Sequence, residues 1–167
     1  MYTKKRSTKV RYILLIIVAL ASLSGLIAVK QMRLSPLSWG WFGPISTSHG
    51  MGLDGYDSVA YHTEKKALLG SSEHHTKWQD VEWRFASKYN QALFEANPQR
   101  YAPQFGGNCA NAISRGMTKK ADPQVWFMND DMLYVFYGED AKKAFIEKIP
   151  NGVLKRSHES WAKRTIQ

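Results

Sequence analysis

A single cysteine, Cys109, stands in the 167-residue chain, so no disulfide can close within it. The thiol is therefore free, paired between chains, or a ligand. Acidic residues are missing from the first 33 positions, which carry seven Lys and Arg. The remaining residues hold 16 basic and 14 acidic side chains, so the net charge of +9 is mostly an N-terminal property. Residues 34–140 have nine basic and twelve acidic residues, which excludes nucleic acid as the partner that a basic protein first suggests. Several catalytic signatures are also missing. There is no H-E-x-x-H, no G-x-S-x-G, and Gly106-Gly107 lacks the Lys and Ser or Thr of a phosphate-cradling loop. An enzyme reading has no motif to stand on.

What the chain does have is one long apolar run. Residues 12–29, YILLIIVALASLSGLIAV, contain no charge, and 18 helical residues reach roughly 27 Å, close to the hydrocarbon thickness of a bilayer. Five basic residues precede the run and two closely follow it. The positive-inside rule then predicts a cytoplasmic N-terminus over residues 1–11 and export of everything after the run. A single-pass protein of a bacterial inner membrane is expected, with its C-terminal domain on the periplasmic or extracellular side. The alternative is secretion after cleavage of a signal sequence at Ala19-Leu20-Ala21. Retention is favoured because the run continues to Val29 and is followed by Trp39, Trp41 and Phe42, residue types that sit at a membrane interface.

Residues 30–52, rich in Gly, Pro and Ser from position 34, read as a juxtamembrane linker, and residues 53–167 as one domain with a basic C-terminal helix. The 44% hydrophobic content and 21 aromatic residues suffice for a core. Strands are predicted over Val59–His62 and Lys66–Leu69. A hairpin is predicted from His75–Trp78 and Val81–Phe85 about Gln79-Asp80, and a second from Val125–Met128 and Leu133–Tyr137 about residues 129–131. Ser87 is placed to cap a helix through Ala96, stopped by Asn97-Pro98 and followed by a helical turn around Arg100 and Tyr101. Short helices are expected after Gly106-Gly107, from Asp140 to Lys148, and around Trp161 beyond Asn151-Gly152. The fold class is small α+β with two β-hairpins and several short helices, behind an N-terminal transmembrane helix. Residues 141–167 carry seven basic and two acidic residues, either a solvated helix face or a contact for anionic lipid.

Thiol and imidazole groups are the remaining candidates for chemistry. Cys109 falls in the first turn of a short predicted helix, where unpaired N–H groups favour thiolate, the form that binds soft metals. Packing in the core is the alternative. His74 and His75 point to opposite faces if they lie on a strand, so only one can share a site with the thiol. His62 is a weaker candidate ligand, and His49 and His158 fit no metal spacing. Asp54 and Asp57 are expected to satisfy backbone donors in a turn.

The ordered series Gly55-Tyr56-Asp57-Ser58-Val59-Ala60-Tyr61, Glu73-His74, Trp83-Arg84-Phe85-Ala86-Ser87, Asn97-Pro98, Tyr101-Ala102-Pro103-Gln104-Phe105-Gly106-Gly107, Cys109-Ala110 and Asp122-Pro123 resembles the exported branch of the YHS-domain family. The likeness runs from about Leu53 to Trp161. It implies a compact α+β unit discussed as a metal-binding module. The relatives with the best metal case carry thiols where this chain has Ala60 and Ala86, so a thiolate-rich site does not transfer. Cys109 and His74 do match the exported branch. The resemblance thus implies a membrane-anchored, outward-facing binding module for copper or another soft transition metal, with Cys109 and His74 as ligands. A protein-interaction domain with a structural Cys109 and a thiol redox protein are the alternatives.

Overall fold

The structure, a computed structural model, describes residues 8–32, 34–36 and 42–164. Helix α1 (Thr8–Gln31) contains the apolar run. Its stretch Arg11–Gln31 is long and apolar enough to cross a membrane or to act as a signal sequence, and none of its residues is buried.

The body is built on two hairpins. Strands β4 (Ser71–Trp78) and β5 (Val81–Phe85) pair antiparallel, and Gln79 and Asp80 between them both take left-handed backbone angles, φ 51° and 61°. Strands β7 (Asp122–Asn129) and β8 (Met132–Phe136) repeat the device at Asp130 and Asp131, φ 49° and 60°. Two left-handed residues form the two-residue turn whose twist matches that of paired strands, and Asp tolerates those angles better than most side chains. Both hairpins thus form where the sequence places them. The first belongs to a four-stranded sheet ordered β2-β3-β5-β4, with β2 (Thr47–Ser48) and β3 (Met51–Gly52) on the far side of β5.

Alternation along β5 sends Val81, Trp83 and Phe85 into the core, where Trp83 and Phe85 meet Phe94 of α3 (Lys88–Ala96) at ring separations of 5.2 and 5.1 Å. The Ser87 hydroxyl accepts the N–H of Asn90 at 3.1 Å and starts α3. Asn97 caps α4 (Pro98–Tyr101), which has Pro98 at its first position, where a missing N–H costs nothing. A second aromatic cluster joins Tyr134 and Phe136 of β8 to Phe145 of α6 (Glu139–Ile146) and Phe105 to Trp161 of α7 (Val153–Ala162). Against β8, α6 and α7 of the second cluster lies α5 (Ala110–Ile113), whose four residues are all buried.

Two sequence expectations change. Residues Val59–His62 form no strand, because Ala60–Thr63 is the helical turn α2. Asp57 accepts the N–H groups of Val59 at 2.8 Å and Ala60 at 3.2 Å, so the side chain claims donors that a strand would need and holds the turn instead. In Lys66–Leu69 only Leu69 pairs, as an isolated bridge to Tyr56, since the neighbouring chain is itself a turn.

The segment read as a linker is tied to the domain. Its residues Ser35–Pro36 form β1 and pair with β6 (Met117–Thr118), Ser35 and Thr118 joining their hydroxyls at 3.1 Å. Further on, Ile45 is buried, and Ser46 N–H donates to the Gly106 carbonyl at 2.7 Å. Gly106 has φ +59°, and a Cβ there would collide with the Pro44 carbonyl, so the close approach requires glycine.

The Asp57 carboxylate is the most heavily used polar group of the body. Beyond Val59 and Ala60 it accepts Ala86 N–H at 2.8 Å and the Asn90 side-chain amide at 2.7 Å. Asp57→Ala would strand these donors in the interior. We expect a loss of about 3 kcal/mol of stability, and a smaller loss for Asp57→Asn, which keeps one acceptor oxygen. Urea titration of the full chain in detergent micelles measures both, and equal stability of wild type and Asp57→Ala would refute the bracket.

Candidate functional site

Cys109 stands directly before α5 and is 0% exposed. Its N–H donates to the Lys119 carbonyl at 2.9 Å, and its carbonyl accepts from Ala112 and Ile113. Burial pushes the thiol above its ordinary range. The nearby backbone N–H groups of Ala112, Tyr137 and Asn111 and the Lys119 charge act in the opposite direction without offsetting it. The expected thiolate-favouring site is thereby corrected. A helix of four residues has little dipole to offer, and desolvation of a buried anion outweighs it.

His74 lies half-buried on β4, the outer strand of the four-stranded sheet, whereas the groups that act on the Cys109 thiol come from α5, the start of the β6–β7 connection and Tyr137. The neighbouring His75 is exposed, with Nδ1 2.9 Å from the Ser72 carbonyl at a strand irregularity. Among the described residues, no group of three or more His, Cys, Asp and Glu stands together as a metal site would require. Trp39 and Trp41 lie outside the described residues. Phe42 is half-buried beside Gly43 and Pro44.

His62 is not on a strand but on α2, and its side chain is only 4% exposed. The ring packs edge-on against Tyr101 at 5.2 Å. Nδ1 lies 3.4 Å from Asp131 Oδ1, and the other Asp131 oxygen accepts from Arg100 at 2.8 Å. Nε2 is buried with no hydrogen-bond partner. The cluster links α2, α4 and the tip of the β7–β8 hairpin. Spacing alone conceals it, since its members are 31 to 69 residues apart; the one local signal was the acidic pair in the turn. Asp57 satisfies donors as expected, whereas Asp54 does something else and pairs with Lys120 at 2.8 Å.

A groove of about 230 Å³ opens between the Pro44-Ile45 segment, the β4–β5 turn and α7. Trp78, Phe105 and Trp161 give it aromatic walls, and Gln99 and Gln104 give it amides. Arg164 lies 4.2 Å over the Trp161 ring and adds a positive charge at the rim. Flat apolar faces with amide donors and acceptors suit a polypeptide segment better than an ion.

Desolvation lowers the His62 pKa from its ordinary value, and the attraction of Asp131 only partly opposes this; Lys65 and Arg100 lower it further. The folded protein therefore binds fewer protons at this ring than the unfolded chain. Its contribution to stability is complete above the unfolded value near pH 6.5 and is lost as pH falls toward the depressed folded value. Thermal denaturation of the full chain in micelles at pH 7.5 and 5.5 should show a larger acid loss in wild type than in His62→Phe. Parallel losses would remove His62 as the cause.

Compared with family models, with curated proteins and with solved structures, the chain matches none, so the functional reading rests on its own residues.

Proposed function

We propose that the protein is a membrane-anchored, outward-facing domain of the YHS type that works as a binding module, in the form in which Cys109 is structural and an aromatic groove docks a peptide segment of a neighbouring membrane protein. The observation that carries this reading is the groove itself. Trp78, Phe105 and Trp161 line a cleft on a body tethered behind an apolar helix, and Arg164 favours an acidic residue beside the apolar side chains that fill it. The uneven basic flanks of the helix support the outward orientation. Burial of Cys109 and the absence of a three-ligand cluster among the described residues favour docking over the soft-metal form.

Two measurements test it. The Cys109 thiol should stay unreactive to a small thiol reagent at neutral pH until the protein unfolds, with copper(I) making no difference, and Cys109→Ser should cost about 1 kcal/mol of stability. Reactivity in the folded state that copper(I) suppresses would return the site to metal binding. For docking, a photoreactive residue at Gln99 in the full chain within native membranes should give one discrete adduct with a membrane protein. Trp161→Ala and Arg164→Glu should abolish that adduct while Cys109→Ser preserves it. An adduct indifferent to Trp161→Ala would reject the groove.

A further inference from the structure

A second cleft, of about 330 Å³, lies where α1 meets the domain, walled by Gln31 and Met32 on one side and by Lys119, Lys120, Ala121, Asp122 and Tyr137 on the other. We propose that it seats the phosphate of a phospholipid headgroup from the leaflet in which α1 ends. This rests on the anchored reading above and is independent of the aromatic groove.

Depth is the first argument. The apolar stretch Arg11–Gln31 ends in the wall of the cleft itself, so a spanning α1 fixes the cleft at headgroup level. The connection is stiff. Lys120 N–H donates to the Met32 carbonyl at 2.8 Å, and Ser35 and Pro36 pair with Thr118 and Met117 directly beyond. The body cannot swing this face away from the membrane without breaking those bonds.

Charge and chemistry choose the occupant. Lys120 is paired with Asp54, whereas Asp122 keeps its negative charge in the wall, one of its oxygens accepting the Gln124 N–H at 2.9 Å. Lys119 has no acidic partner among the described ion pairs, and its ammonium rests 3.3 Å from the centroid of the Tyr137 ring. That ring is 45% exposed. A cation held on a partly exposed tyrosine at the lip of a cleft is positioned for an anion, and tyrosine is a residue type enriched at the membrane interface. Lys30 in the last turn of α1 adds a second positive charge nearby in sequence. Met32 and Ala121 supply an apolar flank that a free phosphate would not use and a glycerolipid would. With Lys120 paired to Asp54, the cations of Lys119 and Lys30 outnumber the unpaired carboxylate of Asp122 about the cleft, which predicts preference for a net-negative headgroup such as phosphatidylglycerol over phosphatidylcholine.

The test uses the full chain in nanodiscs of mixed phosphatidylglycerol and phosphatidylcholine, released gently and weighed by native mass spectrometry. Wild type should retain phosphatidylglycerol in preference to phosphatidylcholine. Lys119→Gln should reduce that retention several-fold, and Lys119→Arg should keep it, which separates lost charge from lost fold. A Lys155→Gln/Arg156→Gln variant in the basic last helix should behave as wild type. Retention unchanged by Lys119→Gln, or lost only in the α7 variant, would overturn the proposal. Equal binding of glycerol phosphate would overturn it too, by making the cleft a site for soluble anions. Failure of the anchored reading is seen separately, as release of the full chain from membranes at alkaline pH.

Discussion

The buried carboxylate of Asp57 holds together parts of the chain that have no other reason to meet. Its two oxygens accept from the start of α2, from the residue after β5 and from the Asn90 side chain on α3. A charge withdrawn from water is costly unless every acceptor site is used, and here four donors converge on it. The consequence is a fixed corner. The end of β5 is set against α2, α3 leaves the sheet at one angle, and Phe94 is delivered onto Trp83 and Phe85. Tyr61, one turn further along, reaches the Pro123 carbonyl at 2.8 Å and draws β7 to the same corner. The two hairpins are thus related through a polar group that neither contains.

A comparable constraint governs the segment between α1 and the body. The backbone at Gly106 lies so close to Pro44 that no side chain fits between, and β1 is paired to β6 further up the chain. Segments that composition marks as flexible are therefore part of the folded body at these points. Fixed at both places, the segment limits how the body can move relative to the end of α1. Both clefts inherit this: one is walled by the end of α1 and the other by Pro44 and Ile45.

Cys109 is buried in the same core as Phe105, Tyr134 and Phe136, and free thiols pack well in such places. Gly106 before it serves the close approach of the Pro44 segment, and Asn108 turns its amide to the Phe105 carbonyl at 2.9 Å. The same short stretch that suggests a reactive helix start thus works as a junction between the tether and the core.

Local physics was readable from the residues alone. The apolar run of α1, both hairpins with their acidic or amide-bearing turns, the Ser87 cap and the break at Asn97-Pro98 depend on neighbours a few positions apart, and sequence contains those neighbours. The α+β class followed from them. Cys109 and His74 could be named as candidates for the same reason, by residue type and local placement. Their value as a site depended on distance and burial, and those are set by contacts across the fold. The strand expected at Val59–His62 became a turn because Asp57 also serves Ala86 and Asn90, a demand that comes from β5 and α3. The thiol rose rather than fell in pKa because the surrounding core removes water, and no window of sequence reports how much water a group will lose. His62 with Asp131 and Arg100, the aromatic groove, and Lys119 against Tyr137 are assembled from segments that meet only after folding. The sequence determined the elements and the long apolar helix, since these follow from short-range sterics and transfer from water. Only the tertiary structure decided which polar groups are desolvated, which are paired and which face an open cleft, because each depends on the packing of distant segments.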